Sequence, residues 1–430
     1  MLSFNRIYGK ILKFIGLNLE SFIVLGICSS THAEQYKSTI ISRPVPIKLH
    51  LRNRTINLQY TEHDKQDILG KGGVAHVFKF NRDKVIKVLT KEHISKSSIN
   101  KIRDANKLVM RIQKKYPGLF VNISSVQNVV AEYSDGRRVK TIGIIMKKMN
   151  RTVKDEMKDL KLNSHITYTL LDDDSNSDIY IENKLKFLAN VWLKYVQLLK
   201  VYSIEGYNHC DISPKNIMVG YDNNLYVSDT DTTQKNNLKC MVYSDGSTAP
   251  ETYNGENATY LSDLFSVADS MYQLITDKQI MFDHFLAKRI DAKEIYNTAY
   301  LRLQAVILRE FKKLDMAIEN SALSKNWQWF LHYLKGFILA SHQYEPALRQ
   351  KKLAQLMDLP ESAELVDIYK KIEDYLVQFP QYSSLDSEHE IDLHDIFTKA
   401  QCDRFLSDEV LTDDLVFDEA FLEEFENIDH

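Results

Sequence analysis

The stretch His209-Cys210-Asp211-Ile212-Ser213-Pro214-Lys215-Asn216-Ile217-Met218, followed by Leu225-Tyr226-Val227-Ser228-Asp229-Thr230-Asp231, constrains this chain most. Its weight comes from what precedes it. Leu69-Gly70-Lys71-Gly72-Gly73-Val74-Ala75-His76-Val77-Phe78-Lys79-Phe80 is a glycine cluster that runs into alternating apolar residues. The alternation predicts a strand, and glycines beside a strand let backbone amides approach phosphate oxygens closely. A polar turn, Asn81-Arg82-Asp83, leads to a second predicted strand, Lys84-Val85-Ile86-Lys87-Val88-Leu89. Lys87 sits within an apolar run, where a lysine is rarely buried without a partner. The competing reading is an edge lysine whose head reaches water.

Taken in order, these segments resemble the signature set of the eukaryotic-type protein kinases. The glycine loop stands as Gly70-x-Gly72-x-x-Ala75, with Gly73 at its tip and Val77 as the following strand valine. The strand lysine is Lys87. The HRD motif stands as His209-Cys210-Asp211, with Asn216 five residues after the Asp. The DFG motif stands as Asp229-Thr230-Asp231, thirteen residues after Asn216, and Ala249-Pro250-Glu251 is an intact APE. Asp263 opens Asp-Leu-Phe-Ser-Val-Ala, which is similar to the family's helix under the catalytic loop. The resemblance spans about residues 60–345.

It implies an α+β, two-lobed fold, with a β-rich N-lobe at 60–146 and a helical C-lobe at 147–345. An N-terminal extension and linker (1–59) would precede it, and a helical extension with an acidic tail (346–430) would follow. It implies ATP and Mg²⁺ as cofactors. Phosphoryl transfer asks a protein mainly for positioning and charge neutralisation. Gly70, Gly72, Gly73 and Val77 would cover the nucleotide, and Lys87 would grip its α/β phosphates. Met146 would guard the adenine pocket, in the strand and hinge Gly143-Ile144-Ile145-Met146-Lys147-Lys148-Met149, with the backbone through Met149 meeting the adenine edge. Asn216 and Asp229 would hold the metal through hard oxygen atoms. Asp211 would orient or accept the proton of the attacking hydroxyl. A helix carboxylate should keep Lys87 in place. Asp104 is the expected one, and Glu92 is the alternative.

The departures matter as much. Cys210 replaces the HRD arginine, which in the family commonly pairs with an activation-segment phosphate, so activity without such phosphorylation is expected. Cys210 itself is expected to be a small buried hydrophobe rather than a reactive thiol. Ser213 stands where Ser/Thr kinases usually carry a lysine, and Lys215 is the nearby candidate to compensate. Thr230 and Asp231 replace the Phe and Gly of DFG, leaving Asp231 as a second metal-binding carboxylate or a solvated acid. Thr232, Thr233, Tyr243, Ser244, Ser247 and Thr248 are candidate autophosphorylation sites. Two alternatives stay open: a pseudokinase acting as a binding module, and a small-molecule kinase of the aminoglycoside or choline kinase type.

Composition bounds the rest. The 430 residues are 44% hydrophobic and 26% charged, ordinary globular values. Four cysteines (Cys28, Cys210, Cys240, Cys402) without a CxxC pair exclude a disulfide scaffold and argue against structural zinc; they fit a reducing compartment. Apolar residues 11–28 are interrupted by Lys13, Asn18 and Glu20, which argues against a simple spanning helix. An interfacial helix and a helix packed on the body are the remaining readings. Residues 185–201 and about 296–379 carry apolar residues at helical spacing. Residues 381–430 hold 16 Asp+Glu against 2 Lys+Arg, a net −14 that leaves +11 for the first 380. The acidic, aromatic-dotted end Phe417–His430 resembles translocation signals of injected bacterial effectors, and a kinase before such a tail resembles the Legionella effector kinases. That implies a secreted protein in the host cytoplasm or at a host membrane surface, with a host protein as substrate. Without the tail signal, a cytoplasmic protein is expected. The basic body and apolar N terminus suggest a membrane or polyanion partner, and no nucleic acid is predicted.

Overall fold

The computed structural model describes residues 45–58, 68–71, 74–90, 95–159, 177–240, 248–253, 255–276 and 307–379. The chain divides into two compact units, 1–67 with 129–141, and 68–128 with 142–430. The apolar N-terminal segment and the acidic tail lie outside the described residues.

In the first unit, β1 (Lys48–His50) and β2 (Thr55–Asn57) form a hairpin, and β1 pairs antiparallel with residues 130–132. Glu132 gathers His50 at 3.0 Å, Lys48 at 3.5 Å and Arg138 at 2.7 Å. Hydrogen bonds from His50 and Arg138 pull its carboxyl down to about 2. Residues 48–50 and 55–57, within the stretch expected as N-terminal extension and linker, are therefore strands. Their strands are three residues each, too short to show a periodic signal.

The second unit holds β3 (Ile68–Lys71), β4 (Ala75–Lys79) and β5 (Lys84–Leu89), and the sheet order there runs β7-β5-β4-β3. The helix α1 (Lys96–Lys115) follows β5. Ser95 caps it, its side chain accepting from the Ser98 amide at 3.0 Å, and Lys114 and Lys115 occupy the last turn, where the helix dipole favours cations. Ile102, Ala105, Asn106, Val109 and Ile112 form its buried stripe. The long strands β6 (Ile123–Glu132) and β7 (Arg138–Lys147) come next and run into both units.

The C-terminal half is helical, as the α+β expectation required. After β8 (Arg151–Thr152) and α2 (Val153–Asp159), the helix α3 (Ser177–Glu205) runs through the core. Its Trp192 is fully buried among Phe330, Tyr333 and Phe337 at 4.9–5.9 Å between ring centroids. Short strands β9 (Tyr207–Asn208), β10 (Ile217–Val219), β11 (Leu225–Val227) and β12 (Gln234–Lys235) follow. They lead to α4 (Pro250–Tyr253), α5 (Tyr260–Thr276), α6 (Lys325–Ser341), α7 (Pro346–Leu356) and α8 (Leu365–Leu376). The helix α5 is buried along nearly its whole length. The helices α7 and α8, in the segment expected as a helical extension, pack against the preceding helices. Leu353, Ile368, Ile372 and Phe379 belong to the same hydrophobic core as α3 and α5, and Glu373 of α8 pairs with Lys200 of α3. Among the described residues no helix is long and apolar enough to cross a membrane.

Candidate functional site

The sheet sets the first part of the site by register alone. Gly70 stands opposite Val77, Val77 opposite Lys87, and Lys87 opposite Ile144. Directly paired residues in a ladder present side chains to the same face. Val85, two residues from Lys87, stands opposite Met146. Gly70, Val77, Lys87 and Met146 thus share one face of the sheet. A register shift falls between Ile68 and Gly70. Gly72, Gly73 and Glu92 lie outside the described residues. Met149 follows the end of β7 and is buried. Of the neighbouring amides, Lys147 donates to the Asn122 carbonyl (2.9 Å) and Lys148 to the Asp83 carbonyl (2.8 Å).

Lys87 crosses from the sheet to the segment after β11. Its Nζ lies 2.5 Å from Asp229 Oδ1 and 2.8 Å from Asp231 Oδ2. Burial alone would lower the ammonium's pKa, but the two carboxylates outweigh it and hold the group above its usual range. Asp229 moves the opposite way: burial raises it, and Lys87 overrides that and keeps it low.

The expectation for Asp104 is corrected here. Asp104 lies on the exposed side of α1, while the buried stripe presents Asn106, 1% exposed. Asn106 Nδ2 donates to Asp231 Oδ1 at 2.8 Å and to the Ile102 carbonyl at 2.8 Å. An amide has replaced the helix carboxylate, and the carboxylate that accompanies Asp229 at Lys87 comes from Asp231. Both Asp231 oxygens are engaged, one by Lys87 and one by Asn106, so it is not a solvated loop acid. The helical period could have found Asn106, because Ile102, Ala105, Val109 and Ile112 place position 106, not 104, on the inner face.

The loop carrying Asp211 is fixed from below. Asp263, near the start of α5, accepts from the His209 amide at 2.6 Å and the Cys210 amide at 2.9 Å. Its burial raises the carboxyl's pKa, opposed by His209 and these two amides. Asn216 Nδ2 donates to the Asp211 carbonyl (2.8 Å) and to Asp211 Oδ2 (3.1 Å). Ser228 then ties the next segment in: its amide and its hydroxyl both donate to the Asn216 carbonyl, at 2.8 and 3.0 Å. A continuous chain of contacts therefore runs Asp211, Asn216, Ser228-Asp229, Lys87. Two residues of this constellation have left-handed backbone, Cys210 (φ 65°) and Asp229 (φ 52°), a conformation uncommon outside glycine.

Cys210 is a second correction. It is half-buried and bonded to Cys240, with Cα atoms 5.8 Å apart, within the span a disulfide bridges comfortably. The motif's Glu251 accepts from both ends of the Arg349 guanidinium, at 2.7 and 2.8 Å, and from Ser262 Oγ at 2.6 Å. Burial would raise the Glu251 carboxyl, and Arg349 keeps it below the ordinary range. Thr232, Thr233 and Thr248 are buried; Thr232 donates to the His209 carbonyl and Thr233 meets the Tyr202 hydroxyl. Those hydroxyls are structural in this arrangement. Tyr243, Ser244 and Ser247 lie outside the described residues.

Among the described residues no cluster of three or more His, Cys, Asp or Glu side chains is arranged to hold a metal. The donors at Asn216 and Asp229 nevertheless fit a hard divalent cation. Asn216 spends its amide nitrogen on Asp211, which leaves the side-chain carbonyl oxygen to act as ligand, and Asp229 contacts Lys87 through Oδ1 and carries a second oxygen.

The described elements, an antiparallel sheet in the N-terminal half and helices in the C-terminal half, make an α+β architecture that fits the kinase-like fold class the motifs imply. No family model and no curated protein matches the sequence. Among solved structures, the chain is similar to the ROP18 kinase domain in complex with AMP-PNP and sucrose, with a TM-score of 0.44 and 14% identity, over 78% of this chain and 87% of that one.

Proposed function

We propose that the protein is an ATP-dependent protein kinase, transferring the γ-phosphoryl group to a protein hydroxyl, serine or threonine in preference to tyrosine. The observation that carries this reading is the contact chain that joins Lys87 to Asp229 and Asp229, through Ser228 and Asn216, to Asp211. A cation on β5, an acid after β11 and an acid–amide pair on the loop between them are the groups that phosphoryl transfer needs. Mg²⁺, held by Asn216 and Asp229, would neutralise phosphate charge. Lys87 would exchange an aspartate oxygen for phosphate oxygens when nucleotide enters. Asp211, oriented by the Asn216 amide, would receive the proton of the attacking hydroxyl.

We read the Asp263 clamp on the Asp211 loop and the buried Glu251–Arg349 pair that fixes the following segment as a braced platform, which supports a macromolecular substrate over a small alcohol. The acidic tail supports a translocated effector acting on a host protein, with the basic body as a membrane or polyanion contact.

Transfer of radiolabelled phosphate from ATP by purified protein, with and without host extract, tests the reading. Wild type should label protein and Asp211→Ala should not, with both equally folded by circular dichroism. Equal labelling by the two would remove Asp211 from the chemistry.

A further inference from the structure

We propose that the Cys210–Cys240 bridge is a redox-modification site that governs access of a macromolecular substrate to Asp211. The inference rests on the kinase reading of that site and adds a mode of control to it.

Cys210 sits between His209 and Asp211, and its backbone is immobilised by Asp263. It is the fixed end of the bridge. Cys240 lies 30 residues on, eleven residues into the segment that begins with Asp229-Thr230-Asp231. The bridge thus closes a covalent loop around Asp211, Asn216, Asp229 and Asp231. The near part of that segment is held without it. Thr232 Oγ1 donates to the His209 carbonyl at 2.7 Å, β12 pairs with β9, and the Asn236 amide donates to the Gly206 carbonyl at 3.0 Å. Asn237 and Leu238 hold to Ala258 through backbone bonds. Beyond Leu238 the anchoring changes character: Lys239 is exposed, and the disulfide fixes Cys240 directly beside Asp211. Both cysteines are half-exposed, so a soluble dithiol can reach them.

Reduction is a thiol–disulfide exchange. A thiolate of the dithiol attacks one sulfur, the Sγ–Sγ bond breaks, and a mixed disulfide forms. The dithiol's second sulfur then displaces the protein and leaves as a cyclic disulfide. Two electrons pass to the protein, and Cys210 and Cys240 each end as a protonated thiol. The oxidised bridge keeps the segment docked on the loop. The reduced form leaves residues 236–238 tied by backbone bonds to Gly206 and Ala258 and by side-chain bonds from Gln234 and Asn257, with the covalent tie at Cys240 gone, and a surface segment held this way opens more readily than a cross-linked one. The nucleotide contacts at Lys87, Asp229 and Asn216 do not pass through the bridge.

The test compares wild type with Cys240→Ser, each incubated with diamide or dithiothreitol, and the bridge state read by alkylation and mass spectrometry. Hydrogen exchange of residues 232–240 and transfer to a protein substrate are measured on the same samples. Dithiothreitol should speed exchange at 236–240 at least tenfold in wild type. It should raise KM for the protein substrate severalfold while nucleotide affinity stays within twofold. Cys240→Ser should show the reduced values in both conditions. Unchanged exchange after complete reduction overturns the proposal, as does a dithiothreitol response that persists in Cys240→Ser. Asp211-dependent transfer indifferent to bridge state sinks the switch and spares the kinase. Redox-dependent exchange without transfer in any sample sinks the substrate-access role together with the kinase reading, leaving only a reducible clasp.

Discussion

Replacing Arg349 by leucine tests a fully buried charge. Arg349 has no exposed surface, and Glu251 is 7% exposed. The guanidinium donates to both Glu251 oxygens and to the carbonyls of Gln343, Leu261 and Tyr344, and lies 5.0 Å from the Phe265 ring centroid. Leucine restores apolar volume but leaves the carboxylate without a cation, held by Ser262 Oγ and a backbone amide. Removing one partner of a buried pair costs about 3–5 kcal/mol, because an uncompensated charge stays behind. Urea unfolding should show that loss as a lower midpoint at unchanged slope. The pH dependence is the sharper check. In wild type, Arg349 holds the Glu251 carboxyl low against burial, so the pair's contribution is present above the ordinary glutamate value and is lost only as pH falls through the depressed one. In the variant, burial acts unopposed and raises Glu251, which takes up a proton as pH falls and sheds the penalty. The deficit should therefore be largest near pH 8 and smaller at pH 5.5, and adding Glu251→Gln should recover part of it. A deficit below about 1 kcal/mol, or one equal at both pH values, would refute the reasoning that a stranded carboxylate sets the cost.

Other outcomes follow from the site. Asp231→Asn should weaken nucleotide use roughly 30-fold, about 2 kcal/mol, by loosening Lys87, whereas Asp104→Asn should stay within twofold; fluorescent-nucleotide titration separates them. Lys87→Met should lower phosphate transfer ~100-fold or more with the fold retained, since it removes the cation that meets the phosphates, and single-turnover labelling reads it. Ser95→Ala should cost about 1 kcal/mol by uncapping α1, seen as a lower melting temperature with chemistry intact at saturating nucleotide.

Sequence carried the parts of this molecule that depend on local pattern. Lys87 stands out as a lysine inside an apolar strand run, whereas Val77 and Asp263 are singled out by the resemblance to the kinase motifs rather than by periodicity. What escaped depends on distant pairing. Arg349 looks like one more helix-surface cation until Glu251 is seen 98 residues away. Asp231 resembled a loop acid because its two partners, Lys87 and Asn106, stand more than a hundred residues upstream. Cys240 carries no spacing signature at all, and its partner emerges only when the segment folds back on the loop. Asp104 has the charge a lysine partner needs, but the apolar stripe of α1 faces it outward.

The positive φ at Cys210 and Asp229 bears on how this chain can drift over generations. Neither side chain is deeply enclosed, so volume sets no strict limit at either place. Torsion does: a valine or isoleucine there would meet its own backbone, whereas asparagine or glycine would enter without steric protest. Natural variants should consequently keep to a small or amide-bearing repertoire at Cys210, while at Asp229 the pairing with Lys87 narrows the choice further, to an acid that tolerates this torsion.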